Sequence, residues 1–472
     1  MLELVVREWQ SRSSSWQWRK HILFMISAFY TVVGAVLVLG VMILVHEFGH
    51  FAAAKLLGVR VEVFSIGFGK RLFGFRRGET DYRISALPLG GYVKMTGVNA
   101  VEMPEDRPES NGDDPGEFLR HPRWQRLIIA VAGPVANMVL AVVLLTAVFT
   151  LHHEVPYGYY QSAVIGWCAP GFPADQAGLK AGDQIIDIGG LQNPTWQDVL
   201  NKVLVSPNQP IPLRVKRDGQ VLPLTVTPKS EGKQQGGEAG WLPWKPFVVT
   251  ALEKDMPGEE AGLKLGDEIL AVNGMPIHAT GAMQAYLQTT KDSPVNLEIL
   301  RQNQKMVLTI TPKLVQLDPQ TKTYRIGFGS EPMQVEKLPV TQAFSRSVDE
   351  CRKLSGLIFE LVGRMAERKV SMKQMSGPIE IVRVSGEMVH HRSANDLMNF
   401  MAMISLQLGL FNLLPIPILD GGLIAMLLVE SVMRRDINEA IKIRLYQAAF
   451  VCLVLFAGMV IFNDVVKMLP GQ

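Results

Sequence analysis

The stretch GVMILVHEFGHFAAAKLLGVR, Gly40 to Arg60, decides how the rest of the chain is understood. An apolar run beginning at Ile22 ends in His46, Glu47 and His50. Ionisable side chains at membrane depth are costly, so their presence there marks a working site by default. On a helix, residues four apart lie within roughly 40° of each other around the axis. His46 and His50 therefore project from one face and can share one ion, and imidazole nitrogen suits Zn2+. Glu47 adjoins the first histidine and can reach water beside such an ion without being a ligand, as in the H-E-x-x-H pattern of zinc proteases. A pair of core histidines is the plainer alternative, but it is weak where both rings would need partners in lipid.

The bulk composition agrees with a membrane setting. Of 472 residues, 48% are hydrophobic, and the mean hydropathy is positive. The net charge of +3 gives no reason to propose nucleic-acid binding. Cys168, Cys351 and Cys452 are far apart and show neither metal spacing nor a disulfide framework. Four apolar runs are long enough to span a bilayer, Ile22–Val45, Leu127–Leu151, Leu397–Leu419 and Leu445–Asn463. The first run is too long for a signal-peptide core, and no small-residue cleavage site follows it. Lysine and arginine crowd the segment between the first two runs, from Lys55 through Lys70, Arg71, Arg76, Arg77, Arg83 and Arg107 to Arg126, which puts that segment on the cytoplasmic side. Both termini and the large middle region then lie outside, against the mild contrary pull of Arg7, Arg12, Arg19 and Lys20.

A catalytic zinc takes three protein ligands and leaves one position open. The candidate for the third is in FNLLPIPILDGG, Phe411–Gly422, where Asp420 is the sole charged residue between Leu397 and Val429. A lone carboxylate there is a structural cap, a proton relay or a ligand. Pro415 and Pro417 break the helix, and broken backbone at membrane depth is tolerated only when buried in protein or lining a cavity.

Elsewhere, PADQAGLKAGDQIIDIGG, Pro173–Gly190, matches PGEEAGLKLGDEILAVNG, Pro257–Gly274, at 9 of 18 positions. TVTPK at Thr225 and TITPK at Thr309 recur at the same offset of 84 residues, the mark of a duplicated domain. Each copy mixes short strands, glycine turns and one helical stretch. Val61–Gly97 alternates, is rich in Phe and Gly, and turns at RRGET, so β-hairpins are predicted, with an edge open to an unwound substrate or a plain packing sheet as the two uses. Phe344, Val348, Cys351, Leu354, Ile358, Leu361 and Met365 form one stripe of an amphipathic helix.

With these motifs in place the chain resembles the site-2 proteases, the intramembrane zinc metalloproteases, from about His21 to its end. The resemblance rests on HEFGH in the first span, NLLPIPILDG at Asn412–Gly421, GFG at Gly67–Gly69, SGPIEI at Ser376–Ile381, and two copies of a unit similar to bacterial PDZ domains. It implies a helical membrane protein of four transmembrane helices, with a membrane-associated β-hairpin region and two tandem PDZ domains. The divisions would be an N-terminal extension (1–21), the first half of the catalytic core (22–151), PDZ domains at 160–232 and 244–318, an amphipathic region (335–392), and the second half of the core (393–472). It implies zinc on His46, His50 and Asp420, with Glu47 as general base. Asn412, Pro415 and Pro417 and the hairpin residues Gly67, Phe68 and Gly69 would hold an extended substrate. The implied substrates are single-span membrane proteins already trimmed outside, such as an anti-sigma factor in envelope stress, and leftover signal peptides. The implied place is a bacterial inner membrane with periplasmic PDZ domains. PDZ domains take peptides as an added strand, though two such units also serve as bulk that excludes large partners. Two rivals remain at this stage, a metal permease using the same three ligands and a catalytically silent PDZ scaffold. A permease has no need of Glu47, and a scaffold has no need of metal.

Overall fold

The computed structural model describes residues 2–97, 115–151, 153–231, 236–316, 322–330, 333–367, 377–390 and 394–468. Arg107, Ser376 and the expected boundaries at 232 and 318 lie outside them. In chain order, helix α1 (Leu2–Leu56) is followed by a long hairpin, β1 (Val61–Arg77) and β2 (Thr80–Met95), and by helix α2 (Arg123–Leu151). The first repeat supplies β3 (Gln184–Ile188), β4 (Leu191–Gln192), α3 (Trp196–Leu204), β5 (Ile211–Arg217) and β6 (Gln220–Val226). The second supplies β7 (Glu268–Val272), β8 (Met275–Pro276), α4 (Thr280–Thr290), β9 (Val295–Arg301) and β10 (Gln304–Ile310). Then come α5 (Val340–Ala366), α6 (Pro378–His390), α7 (Ala394–Asn412), α8 (Asp420–Met433) and α9 (Glu439–Met468). Two compact units result, one of 1–151, 338–358 and 375–472, the other of 152–337 and 359–374.

In the first unit, three stretches among the described residues are long and apolar enough to cross a membrane, Phe29–Leu56, Arg123–Leu151 and Glu439–Val466. HEFGH lies within the same continuous helix, α1, that carries the first of these stretches. The expected third span is not one helix. Its helix, α7, ends at Asn412, residues 413–419 form a loop, and α8 begins just beyond the expected span at Asp420, because neither proline of LLPIPIL can continue the backbone ladder. The loop folds back onto the first turn of α8. A Cβ on Gly421 would stand 2.2 Å from the Leu414 carbonyl oxygen, and one on Gly422 would stand 2.3 Å from that of Ile416. Only glycine permits that return.

Helix α2 packs on both α1 and α7. Ala141, Leu145 and Phe149 of α2, Ala402, Leu406 and Leu410 of α7, and Ala343 and Cys351 of α5 share one buried cluster. Thus α5 does bury an apolar face, though not the whole expected stripe. Phe344 and Val348 are exposed, while Cys351 is buried and Leu354 and Ile358 pack beside it. The hairpin forms as expected, with the turn between Arg77 and Thr80, and leaves Leu72, Phe73, Phe75 and Leu87 exposed.

In the second unit, the two repeats fold alike. The strand orders are β4-β3-β5-β6 and β8-β7-β9-β10, antiparallel throughout. Even the register irregularity recurs, between Ile185 and Asp187 in one and Ile269 and Ala271 in the other. The shared GLKxGD sequence explains this. Arg217 donates from Nε and Nη2 to the buried Asp183 carboxylate, at 2.6 Å each, and from Nη2 to the Gly178 carbonyl at 2.8 Å. Arg301 does the same to Asp267, at 2.7 and 2.6 Å, and to Gly262 at 2.7 Å. Each pair ties the glycine turn to the following hairpin, and each is bidentate, the stronger form of such bonds. Short strands outside the four-stranded sheets complete the repeats. Trp241–Pro243 pairs with Ile165–Cys168, and Phe328–Gly329 pairs with Ala251–Leu252.

Candidate metal centre and active site

Four elements of the first unit converge on one point. α1 carries His46 and His50 one turn apart, α8 begins with Asp420, and α2 and β2 close the sides. His46 Nε2 lies 3.0 Å from Asp420 Oδ2, His50 Nε2 lies 3.4 Å from Asp420 Oδ1, and the two Nε2 atoms are 3.2 Å apart. Both histidines are buried, and the carboxylate is largely so. Asp420 stands at the first turn of α8, where the helix dipole favours negative charge.

These separations fit a shared cation. Donors at about 2.0–2.1 Å from a tetrahedral zinc lie about 3.3 Å from one another. His50 Nδ1–H donates to the Ile129 carbonyl at 2.8 Å, so the neutral ring turns the lone pair of Nε2 inward. Two lone pairs at this distance repel unless a proton or cation lies between them. Asp420 Oδ2, although close to His46, has no hydrogen bond of good geometry. The Asn137 side-chain amide stands 3.3 Å from His46 Nδ1, and its own oxygen has no partner. Turned by half a rotation, that oxygen accepts from His46 Nδ1–H and fixes the second ring in the ligand tautomer as well. Among the described residues these three form the one cluster of histidine, cysteine and acidic groups able to hold an ion.

Glycine makes the convergence possible. A Cβ on Gly133 of α2 would lie 2.3 Å from His50 Nε2, and one on Gly49 of α1 would lie 2.4 Å from the Ala132 carbonyl oxygen. A Cβ on Gly409 of α7 would lie 2.8 Å from the Pro134 carbonyl oxygen, and Ser405 Oγ–H donates to the Asn137 carbonyl at 2.9 Å. Gly133 and Asn137 escaped the sequence expectations. The available signal was an asparagine and a proline, Pro134, inside an otherwise apolar span.

Glu47 lies beside the trio and packs against β2, where a Cβ on Gly91 would stand 3.2 Å from Glu47 Cγ. The other expected residues are less tightly gathered. Asn412 closes α7, and Pro415 and Pro417 sit in the loop ahead of Asp420. Gly67 packs on β2, Phe68 stacks on Tyr92 with ring centres 6.0 Å apart, and Gly69 borders open space. No hydrogen bond or ion pair among the described residues joins them to the histidines or to Asp420.

Such a site, on helices of membrane length, fits a membrane-embedded metalloprotease. The comparisons narrow it. The model of peptidase family M50 matches residues 34–456. The chain is 31% identical over 462 residues to the regulator of sigma-E protease RseP of Salmonella typhimurium, covering 93% of this chain and 99% of that one. It is 32% identical over 475 residues to protease RseP of Yersinia pestis, with 93% and 99% covered. A Treponema pallidum chain named as a zinc metalloprotease is 32% identical over 448 residues, with 92% and 98% covered. The chain belongs to peptidase family M50, the site-2 protease family, and is a zinc metalloprotease.

Proposed function

We propose that this protease cuts within the membrane spans of single-span proteins, after their outer domains have been trimmed. The observation that carries the proposal is the set of separations, 3.0 to 3.4 Å, among His46, His50 and Asp420 inside an apolar helix cluster, with Glu47 alongside. His46, His50 and Asp420 would hold the zinc. When bound, the ion supplies Lewis-acid polarisation of the scissile carbonyl and of water. Glu47 takes the proton of the attacking water and hands it to the leaving amine. Asn412 contacts the substrate backbone, and the hairpin around Gly67–Gly69 with the proline loop holds the chain extended. A helical carbonyl is hydrogen-bonded and shielded, so the substrate must unwind before attack.

The rest of the proposal rests on the family and on the repeats. Anti-sigma factors and leftover signal peptides are the substrate class, because close relatives of this length carry the sigma-E regulator name. The two repeats act as PDZ domains on the periplasmic side of a bacterial inner membrane, four helical spans being counted when α7 and α8 are taken as one crossing. The charge excess of the loop after α1 supports that orientation.

The test is co-expression with tagged single-span candidates. Glu47→Gln should keep zinc and abolish the cut fragment, whereas His46→Ala, His50→Ala or Asp420→Ala should lose both. Cleavage by zinc-loaded Glu47→Gln would refute the base assignment.

A further inference from the structure

The two repeats fold alike but differ along one edge. The last strand of each four-stranded sheet, β6 in the first and β10 in the second, is paired on one side only. The hairpin leading into β10 turns through Gln302 and Asn303, at φ of 48° and 63°, and is closed by the pair Arg301–Gln304. A two-residue turn of this kind hydrogen-bonds its closing pair, and bonded and non-bonded pairs alternate from there. The register then runs without a shift to Val295–Ile310. Gln304, Met306, Leu308 and Ile310 therefore turn their backbone groups inward to β9. Lys305, Val307 and Thr309 turn theirs outward, and among the described residues no backbone group meets them there.

The matching outward residues of β6, 84 positions earlier, are Val221, Pro223 and Thr225. Proline has no N–H, so the middle donor of that edge is missing, which keeps an edge strand from pairing. The second repeat has Val307 at that position. Its amide is intact, and its side chain is 63% exposed beside Met306 at 39%. An edge of that kind is a template for an added strand. The chain thus closes one edge and leaves its duplicate open.

The residues along the edge select the strand that fits it, because they complement themselves. Antiparallel pairing of two copies centred on Val307 sets Val307 on Val307, Met306 on Leu308 and Lys305 on Thr309. All three outward residues then pair, with two hydrogen bonds in each pair. Apolar side chains oppose one another on both faces, and the lysines stand apart. Other centres do worse. Centring on Lys305 puts lysine on lysine, and centring on Thr309 brings Lys305 against Lys313. Centring on Met306 or Leu308 leaves an outward residue facing position 303 or 311, outside the strand.

We propose that the edge of β10 is a self-association surface: two copies of the chain pair antiparallel about Val307 and join the sheets of their second repeats into one. The partner is a second copy of this chain, and the contact is independent of the metal centre and of the protease chemistry.

The test uses the full chain. In a background with Cys168, Cys351 and Cys452 changed to alanine, Val307→Cys places two sulfurs at a pair whose Cα atoms stand about 5.5 Å apart, within disulfide range. Oxidation of membranes with copper phenanthroline should convert it to a covalent dimer. Met306→Cys and Leu308→Cys should each stay unlinked alone, because each faces the other across the axis, and should link when the two variants are coexpressed. With the native cysteines retained, Val307→Pro copies the edge of the first repeat. It should raise the dimer dissociation constant in detergent micelles about thirtyfold, two hydrogen bonds across the axis being lost. Val307→Lys keeps every backbone donor but sets like charges opposite each other, so it should also dissociate the dimer, and high salt should partly restore it. No covalent dimer from Val307→Cys, or equal mass in micelles for the wild type and Val307→Pro, overturns the proposal. Linkage of Val307→Cys to a different protein, with no self-linked product, overturns it too and gives the edge to that partner.

Discussion

Gly133→Ala is the sharpest perturbation of the proposed metal centre, because it alters no donor atom. The added methyl would lie 2.3 Å from His50 Nε2, 2.6 Å from Cε1 and 2.8 Å from Cδ2. Restoring an ordinary contact of about 3.5 Å requires the ring and α2 to separate by ~1.2 Å. Metal sites tolerate displacements of only about 0.2 Å. The imidazole is tied to Ile129 on the same helix α2, so the ring cannot swing away without losing that bond too. Zinc affinity should fall at least 10- to 100-fold, as when a supporting group is lost. Cleavage should fall about 100-fold or more, the usual cost of a 1 Å misplacement. Alanine is the better helix former by about 1 kcal/mol, so a generally weakened fold is not the expected cause. Gly40→Ala, on α1 with nothing within 4 Å of the new methyl, is the control. The assay is zinc content per purified chain, with cleavage of a trimmed substrate and a melting curve. Gly133→Ala that retains full zinc and cuts within threefold of wild type would refute the tight-approach argument.

Other outcomes follow from the same geometry. Asn137→Ala should weaken zinc binding 10- to 100-fold while leaving Glu47-dependent chemistry intact at saturating zinc, because the Asn137 amide stands 3.3 Å from His46 Nδ1 and orients that ring; a metal titration measures this. Burial pushes the Asp267 carboxyl up, but the Arg301 bonds and the Lys264 amide outweigh it and leave its pKa below the ordinary 3.8. A depressed carboxylate stabilises the fold above its unfolded pKa and loses that contribution as pH falls through the folded value, so the second repeat should weaken on acidification below about pH 4. Asp267→Asn should cost about 2 kcal/mol at neutral pH, by the worth of bonds to charged groups, and should flatten that acid response in denaturant melts. In a cysteine-free background, a cysteine at Ser293 should label from outside the cell and one at Lys70 should not; labelling of Lys70 would reverse the proposed orientation.

What the sequence made legible divides by the range of the signal. His46 and His50 were readable because helical spacing alone puts them on one face. Asp420 was readable because a lone carboxylate in an apolar run is conspicuous. The duplicated sheets were readable from a repeat that preserves even the Arg217 and Arg301 anchors at one offset. Asn137 and Gly133 were not, since a single amide and a single glycine in an apolar helix carry no period, and their meaning depends on which helix lies opposite. The fold-back that puts Asp420 at the start of α8 was visible only as a break, because it depends on Gly421 and Gly422 meeting carbonyl oxygens earlier in the loop. Trp241–Pro243 and Phe328–Gly329 are too short to alternate, so their pairing was hidden.

The same comparison explains why so much of the site is glycine. A cation centre inside apolar helices needs three donors from two helices within 3.4 Å of each other, yet helices with ordinary side chains pack with axes 8–10 Å apart. Longer side chains could bridge that distance, but each added bond brings rotamer freedom that must be lost on ordering. The chain takes the other course and moves backbone toward backbone. Gly49 against Ala132, Gly133 against His50, Gly409 against Pro134, and Gly421 and Gly422 against their own loop remove side chains wherever two elements must touch. The short donors His46, His50 and Asp420 then reach one another. Burial supplies the second half of the effect, because in a low-dielectric pocket converging lone pairs and a carboxylate are unfavourable alone and strongly attract a divalent cation. The geometry that makes the trio costly by itself is what recommends it as the candidate metal centre.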